Sequence, residues 1–247
     1  MAIKGMRCAG IAQVLLAMLQ GCTEKKPDEP YVFMLSDFMA AKELPYDSPP
    51  QVIYRIDDHR FVTLERYRDC NYGDAWYNDT RAGIRHQLGR GGYEDYQGKL
   101  INADPTGQNL VFPSGAPPSM VTGDRGVSVY LTYSTDGGKT FNALEYMPHS
   151  FDPFRDSGDY LVAAKKDKLY IAKKWGDDDA YVVEYPLVLG IDLSKPYPQG
   201  VSGDSFAASS RPTFLSGLRT PSGDDHIHCD ASIKPTNPDA PMIRGDR

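Results

Sequence analysis

The chain has 247 residues, 27 of them basic and 33 acidic, for a formal net charge of -6. A surface that acidic repels phosphate backbones, which argues against nucleic acid as a partner and favours a basic protein surface. Once the terminal segments below are set aside, about 200 residues remain, enough for one good core or two small lobes.

Met1 to Gln20 carries two positive charges, Lys4 and Arg7, no acid, and an apolar run from Ala9 to Leu19 broken only by Gln13. That is the layout of an export signal. The run is about half of the roughly 20 residues a membrane-spanning helix needs, so a permanent transmembrane anchor is not expected. It ends in Leu19-Gln20-Gly21-Cys22, which resembles the lipobox of bacterial lipoproteins, although Gln20 stands where a small or aliphatic residue is usual. The resemblance implies cleavage before Cys22, removing residues 1–21, and lipid on the Cys22 thiol. Buried acyl carbons would then hold the chain to a membrane at about 0.8 kcal/mol per CH₂. The alternative is an ordinary signal peptide with a chance cysteine. Cleavage would remove Lys4 and Arg7 but no acid, leaving 25 basic against 33 acidic residues, a net of -8.

Residues 22–30 are charged and proline-bearing and read as a flexible tether. Residues 31–233 form the expected folded domain, and residues 234–247, with three prolines and few apolar side chains, read as a poorly ordered tail. Within the domain the texture is β. Val127, Val129, Leu131 and Tyr133 alternate with Ser128, Tyr130, Thr132 and Ser134, the period of a strand with one buried face. Comparable runs are Gln51 to Ile56, Arg60 to Tyr67, Asp159 to Ala164, Lys168 to Trp175 and Ala180 to Val188. Turn signals at Asp57-Asp58, Asp136-Gly137-Gly138, Lys166-Asp167 and Gly176-Asp177 separate them. The pattern predicts an all-β domain of antiparallel meanders, as a sandwich or a small propeller-like domain. The sixteen tyrosines suit half-buried strand faces, and only Ser36 to Leu44 reads as helical.

With Cys8 in the leader and Cys22 on lipid, Cys70 and Cys229 remain as a pair in an oxidising compartment, and a disulfide between them is expected, the alternative being two unpaired buried thiols. A disulfide would tie an early strand to a C-terminal one. Ser134-Thr135-Asp136-Gly137-Gly138-Lys139-Thr140-Phe141 matches the Asp-box pattern of sialidase-like propellers. In it the Ser134 hydroxyl and Asp136 carboxylate accept turn N–H groups, glycines such as Gly138 take positive φ, and Phe141 plugs the hairpin base. The motif shapes a turn and performs no chemistry. Tyr54-Arg55-Ile56 resembles the start of a sialidase arginine motif, but Asp57 replaces its proline and no second Asp box follows; an ordinary strand is expected.

His226 and His228, two apart on an expected strand, would share a face, yet a metal site needs further ligands, so no metal is expected. Asp177-Asp178-Asp179 lacks the alternate spacing of calcium loops and reads as a solvated turn. No Gly-x-Ser-x-Gly elbow and no phosphate loop is present, so neither an enzyme nor a cofactor is expected.

Four segments together resemble a family of bacterial lipoproteins that give immunity to lipase effectors of the type VI secretion system. They are Tyr54-Arg55-Ile56-Asp57-Asp58-His59-Arg60-Phe61, Tyr67-Arg68-Asp69-Cys70, Tyr77-Asn78-Asp79-Thr80-Arg81-Ala82-Gly83-Ile84 and Val129 to Gly138. The resemblance implies a periplasm-facing protein, lipid-anchored at the outer membrane, that binds a toxic phospholipase injected by a neighbouring cell and blocks its substrate entrance. Exposed turns rich in Tyr, Trp and Asp are the expected contacts: Trp76 and Tyr77, Tyr93 and Tyr96, and Trp175 with Asp177, Asp178 and Asp179. The rival readings are a carbohydrate-binding or sialidase-like envelope protein and a structural envelope lipoprotein.

Overall fold

In the computed structural model, which describes residues 45–237, each alternating run named above becomes a strand. β1 (Gln51–Arg55), β2 (Arg60–Glu65), β3 (Asp74–Asp79) and β4 (Ile84–Arg90) make one antiparallel meander. β5 (Lys99–Asn102) leaves that sheet. β6 (Leu110–Pro113), β7 (Val127–Ser134) and β8 (Asn142–Ser150) form a second antiparallel sheet, followed by the one-turn helix α1 (Pro153–Ser157). β9 (Tyr160–Ala164), β10 (Lys168–Trp175), β11 (Asp179–Pro186) and β12 (Asp204–Ala207) form the third, in the order β12-β11-β10-β9-β5. The fold is all-β, as the sequence predicts.

One pair departs from the antiparallel rule. β5 runs parallel to β9, with Leu100 opposite Val162 and Ile101 opposite Ala163. Parallel neighbours need a long crossover, and here the crossover is the whole β6–β8 sheet together with α1. Asn102 joins the two sheets by imitating a strand backbone: its Nδ2 donates to the Val111 carbonyl at 3.0 Å and its Oδ1 accepts from the Val111 N–H at 2.8 Å.

All three sheets contribute to one core. Ile53, Leu64 and Tyr77 meet Leu110, Phe112, Leu131 and Tyr133 from the second sheet and Leu100, Val162 and Leu169 from the third. The third sheet is covered on its other face as well, where Ala163, Tyr170, Val182 and Phe206 pack under Phe214, Leu215 and Leu218. Burial on both faces explains the near-continuous apolar runs of β9 and β10. The tyrosines go deeper than half-buried strand faces: Tyr54, Tyr67, Tyr77, Tyr96 and Tyr133 are fully enclosed. Most spend the hydroxyl on a carbonyl, Tyr54 on Leu100, Tyr67 on Pro49, Tyr96 on Lys99 and Tyr133 on Ile191.

Three expectations are corrected. The segment around His226 and His228 is irregular extended chain rather than strand, and it runs between β1 and β5, with His228 N donating to Ile53 O and Asp225 O accepting from Leu100 N. The Cys70–Cys229 disulfide, with Cα atoms 5.9 Å apart, therefore ties the β2–β3 loop to this irregular segment and not strand to strand. Helix appears within the described residues at α1, where Asp152 caps the Arg155 N–H and Pro153 starts the turn; Ser36 to Leu44 lies outside them. Of the C-terminal segment, Lys234 pairs with Asp69, and Thr236 N donates to Asp47 Oδ1 at 2.7 Å.

The turn after β4 holds a pH-sensitive element. Glu94 is buried, and neither carboxylate oxygen has a hydrogen-bond partner among the described residues. Burial pushes Glu94 up to about 7 and its neighbour Asp95 up to about 6. A carboxyl raised in the folded state binds its proton more tightly there than in the unfolded chain, so stability is full below the unfolded value. It falls as pH rises from about 4.5 towards 7, by on the order of 3 kcal/mol for Glu94. Glu94→Gln is expected to flatten the pH dependence of urea unfolding in that window and to stabilise the protein at pH 8 by about 1–3 kcal/mol. An unchanged slope would remove Glu94 as its source.

Candidate functional site

Four turns gather at one end of the sheets, and each is built on the same device, an aspartate whose carboxylate accepts N–H groups from the turn it begins. Asp57, after β1, accepts from His59 N at 3.1 Å and Arg60 N at 2.8 Å. Asp79, closing β3, accepts from Arg81 N and Ala82 N, both at 2.9 Å. Asp104, after β5, accepts from Thr106 N at 2.9 Å and Asn109 N at 2.8 Å. Asp136, after β7, accepts from Lys139 N at 3.1 Å, Thr140 N at 3.0 Å and the Thr140 hydroxyl at 2.7 Å.

The last of these is the Asp-box turn. The Ser134 hydroxyl donates to Asp136 Oδ1 at 2.8 Å and accepts from Gly138 N at 2.9 Å. Gly137 and Gly138 have φ of 79° and 87°. Phe141 packs beneath against Tyr77, Phe112 and His86, with ring centroids 5.8, 6.0 and 4.7 Å away.

Hydrogen bonds join the four turns in two pairs, which meet where Gly107 packs against Arg60. Thr80 N donates to His59 O at 2.9 Å, Gly137 N to Gln108 O at 2.9 Å, and Ser222 N to Ile56 O at 2.8 Å. Between them opens a cleft of about 650 Å³, walled by Asp57, His59 and Arg60, by Asp79 and Arg81, by Thr106 to Gln108, and by Asp136, Gly137 and Lys139. Arg60 is buried in the wall, with Nε 2.8 Å and Nη2 2.7 Å from Asp57 Oδ2. Burial alone would push Asp57 up, but the hydrogen bonds from Arg60 and from the turn N–H groups outweigh it and hold the carboxyl below its ordinary value. Asp136 is likewise held down against its burial by Thr140, Ser134 and Lys139. The carboxylates of the cleft are therefore engaged in holding backbone. Thr106, whose hydroxyl also lines it, donates to Asp104 at 2.8 Å.

Beneath the cleft, Tyr77 is fully buried, and its hydroxyl has no partner among the described residues. It lies within electrostatic reach of Asp79, Arg60 and Asp57, all of which face the cleft. At the rim, Arg81 and Lys139 are exposed and form no ion pair among the described residues. The neighbouring loop reaches the Asp box through Gly190 N, which donates to Thr135 Oγ1 at 2.9 Å, and it presents Leu189 at 78% exposure.

The residues selected from sequence as contacts are not gathered here. Tyr77, Tyr93 and Tyr96 are core residues, which corrects their reading as exposed turn: Tyr77 faces inward from β3, and the Tyr93 and Tyr96 hydroxyls donate to the carbonyls of Leu88 and Lys99. Trp76 is half-buried on the outer face of β3 with the Arg85 guanidinium 3.9 Å above its ring. Asp179 is committed to Ser209, accepting from its N–H at 2.9 Å and its hydroxyl at 2.7 Å. Only Trp175, at 68% exposure, and Asp177 and Asp178 stay open, at the tip of the β10–β11 hairpin. β10 begins beside the cleft, where Asn109 Nδ2 donates to Lys166 O at 2.5 Å, so Trp175 lies roughly 23 Å along the strand from it. His59, Arg60, Arg81 and Lys139 were missed. Their sequence signal is a basic residue two or three positions after a turn aspartate that closes a strand.

Three of the four segments that carry the family resemblance end in this cleft, through Asp57 to Arg60, Asp79 to Ala82, and Asp136 with Gly137. A search of curated proteins finds no match. The family model described as T6SS Tli3 immunity protein matches residues 46–173, which is 128 of the 247 residues and spans every cleft wall up to Lys139. The chain belongs to the Tli3 immunity protein family of the type VI secretion system.

Proposed function

We propose that this immunity protein is lipid-anchored at Cys22, faces the periplasm from the outer membrane, and neutralises a lipase effector by covering its substrate entrance. The observation that carries the occlusion reading is the cross-linked turn platform. Four turns whose aspartates are occupied by their own backbone form a rigid, solvent-facing end suited to docking, since a surface ordered before binding loses little entropy on contact. Lipid anchoring rests on the Leu19-Gln20-Gly21-Cys22 sequence, which lies outside the described residues, and it would hold the inhibitor beside the bilayer that the lipase attacks.

The test is co-expression of this protein with the effector encoded beside its gene, the effector being directed to the periplasm. Growth arrest by the effector alone and recovery with this protein are expected, together with accumulation of intact phospholipid. Equal arrest in both strains would refute the lipase reading. Cys22→Ala is expected to move the protein from the membrane to the soluble periplasmic fraction and to remove the acyl mass; unchanged fractionation would refute the anchor.

A further inference from the structure

We propose that the cleft is an acceptor for an acidic surface loop of the effector, whose carboxylates are held between Arg81 on the β3–β4 turn and Lys139 on the β7–β8 turn. This deepens the immunity reading above and rests on it.

Many cations of the described surface are matched, such as Arg66 with Asp74, Arg85 with Glu65, Lys168 with Glu184, Arg211 with Asp204 and Lys195 with Asp192. Arg81 and Lys139 form no ion pair among the described residues, as Arg125, Lys166, Lys174 and Arg219 do not; these two differ in lining one cleft, and they stay unpaired although Asp57, Asp79 and Asp136 line it as well. The reason is geometric. Those carboxylates accept the N–H groups of their own turns, and Asp57 also holds Arg60. The two exposed cations are thus offered to something outside the chain.

The scaffold fixes where they are offered. Gly107, with φ of +71°, lies so close to Arg60 that a Cβ there would be 2.1 Å from Nη1, so the third turn is pressed against the guanidinium. The Gly137–Gln108 and Thr80–His59 bonds tie each cation-bearing turn to a neighbouring one. Beside the Asp box, Leu189 supplies the exposed apolar contact that protein interfaces place next to a polar patch. An acidic loop flanked by an apolar residue satisfies all of these together. The Trp175 tip carries two uncommitted carboxylates instead and lies beyond the matched family segment.

The experiment measures binding of the mature, full-length protein to a catalytically inactive form of the effector encoded beside its gene, at low and at physiological ionic strength. Wild type is expected to bind with an affinity that falls as salt rises. R81E/K139E is expected to weaken Kd by about tenfold or more, mainly through a slower association, and to lose the salt dependence, while its thermal unfolding stays that of wild type. R81K/K139R, which keeps both charges, is expected to bind within about threefold of wild type. Unchanged affinity and salt slope in R81E/K139E would overturn the proposal. So would loss of binding on Trp175→Ala with the cleft variants intact, which moves the interface to the hairpin tip. Capture of phosphatidylglycerol vesicles through Arg81 and Lys139, with effector binding unaffected, would assign the cleft to a lipid headgroup and overturn it too. A wild-type protein that neither binds nor protects sinks the immunity reading and this proposal together; one that protects, alongside an equally protective R81E/K139E, sinks this proposal alone.

Discussion

Gly138→Ala is expected to destabilise the protein by about 2–5 kcal/mol, because two costs add at one atom. Gly138 has φ of 87°, a conformation that costs a residue with a Cβ roughly 1–2 kcal/mol. The added Cβ would also sit 2.2 Å from Cε1 and 2.8 Å from Cδ1 of Tyr77. The ring cannot retreat, since Tyr77 is fully buried between Phe112 and Phe141 at 5.7 and 5.8 Å. Overpacking of this kind typically costs 1–3 kcal/mol. Gly137→Ala is the internal control: φ there is 79°, but the nearest atom to a new Cβ is Gly107 O at 3.7 Å, so about 1 kcal/mol of conformational cost is expected without a clash. Urea unfolding of both variants measures the difference, and equal losses would refute the packing argument. Because the Asp-box turn forms a wall of the cleft, Gly138→Ala should also weaken protection more than Gly137→Ala.

Removal of the Cys70–Cys229 disulfide, as Cys70→Ala with Cys229→Ala, is expected to cost about 2–5 kcal/mol. The bridge spans 159 residues, and in the loop-entropy model a closed loop of that length restrains the unfolded chain by about 5 kcal/mol. Part is returned by local relaxation. Arg66, Asp69, Cys70 and Tyr72 all have φ between 51° and 60°, so the β2–β3 loop is held in a conformation that costs each non-glycine residue of order 1 kcal/mol. The loss should therefore fall below the entropic figure. Unfolding by urea with and without reductant is the measurement: wild type should approach the double variant under reduction, and the double variant should not respond. The effect should extend beyond that loop, since the bridged segment also carries Asp224 Oδ2, which accepts from Arg55 N at 3.1 Å, and Asp225 O, which accepts from Leu100 N.

The strands legible in the sequence are those whose period shows one dry face, as in β7, or two, as in β9 and β10. β4, Ile84 to Arg90, has no fully buried residue, and its Ile-Arg-His-Gln pattern carries too little contrast to register. β5, β6 and β12 are four residues long, shorter than a period can be read over. β8 is interrupted by Pro148 and by His149 at φ 55°, which break the alternation as they bend the strand. Tyrosine density misled in a different way. A tyrosine at a turn reads as surface, but Tyr93 and Tyr96 fold inward because a carbonyl lies within reach of each hydroxyl, and only the tertiary fold supplies that carbonyl.

What the sequence determined by itself was local: the all-β character, set by residue alternation and turn chemistry within about ten residues of each other, and two of the aspartates that begin turns, Asp57 and Asp136. What only the tertiary structure decided was which turns meet. Asp57, Asp79, Asp104 and Asp136 are each explained by the N–H groups of their own turn, yet their assembly around one cleft depends on β5 pairing in parallel with β9 and on the 220–230 segment lying between β1 and β5. Those contacts join residues up to 179 positions apart, as in Gln51 with Asp230, and no short-range pattern encodes them. The unpaired state of Arg81 and Lys139 follows from the same long-range assembly. A cation is free only relative to the carboxylates that the fold brings beside it and has already engaged.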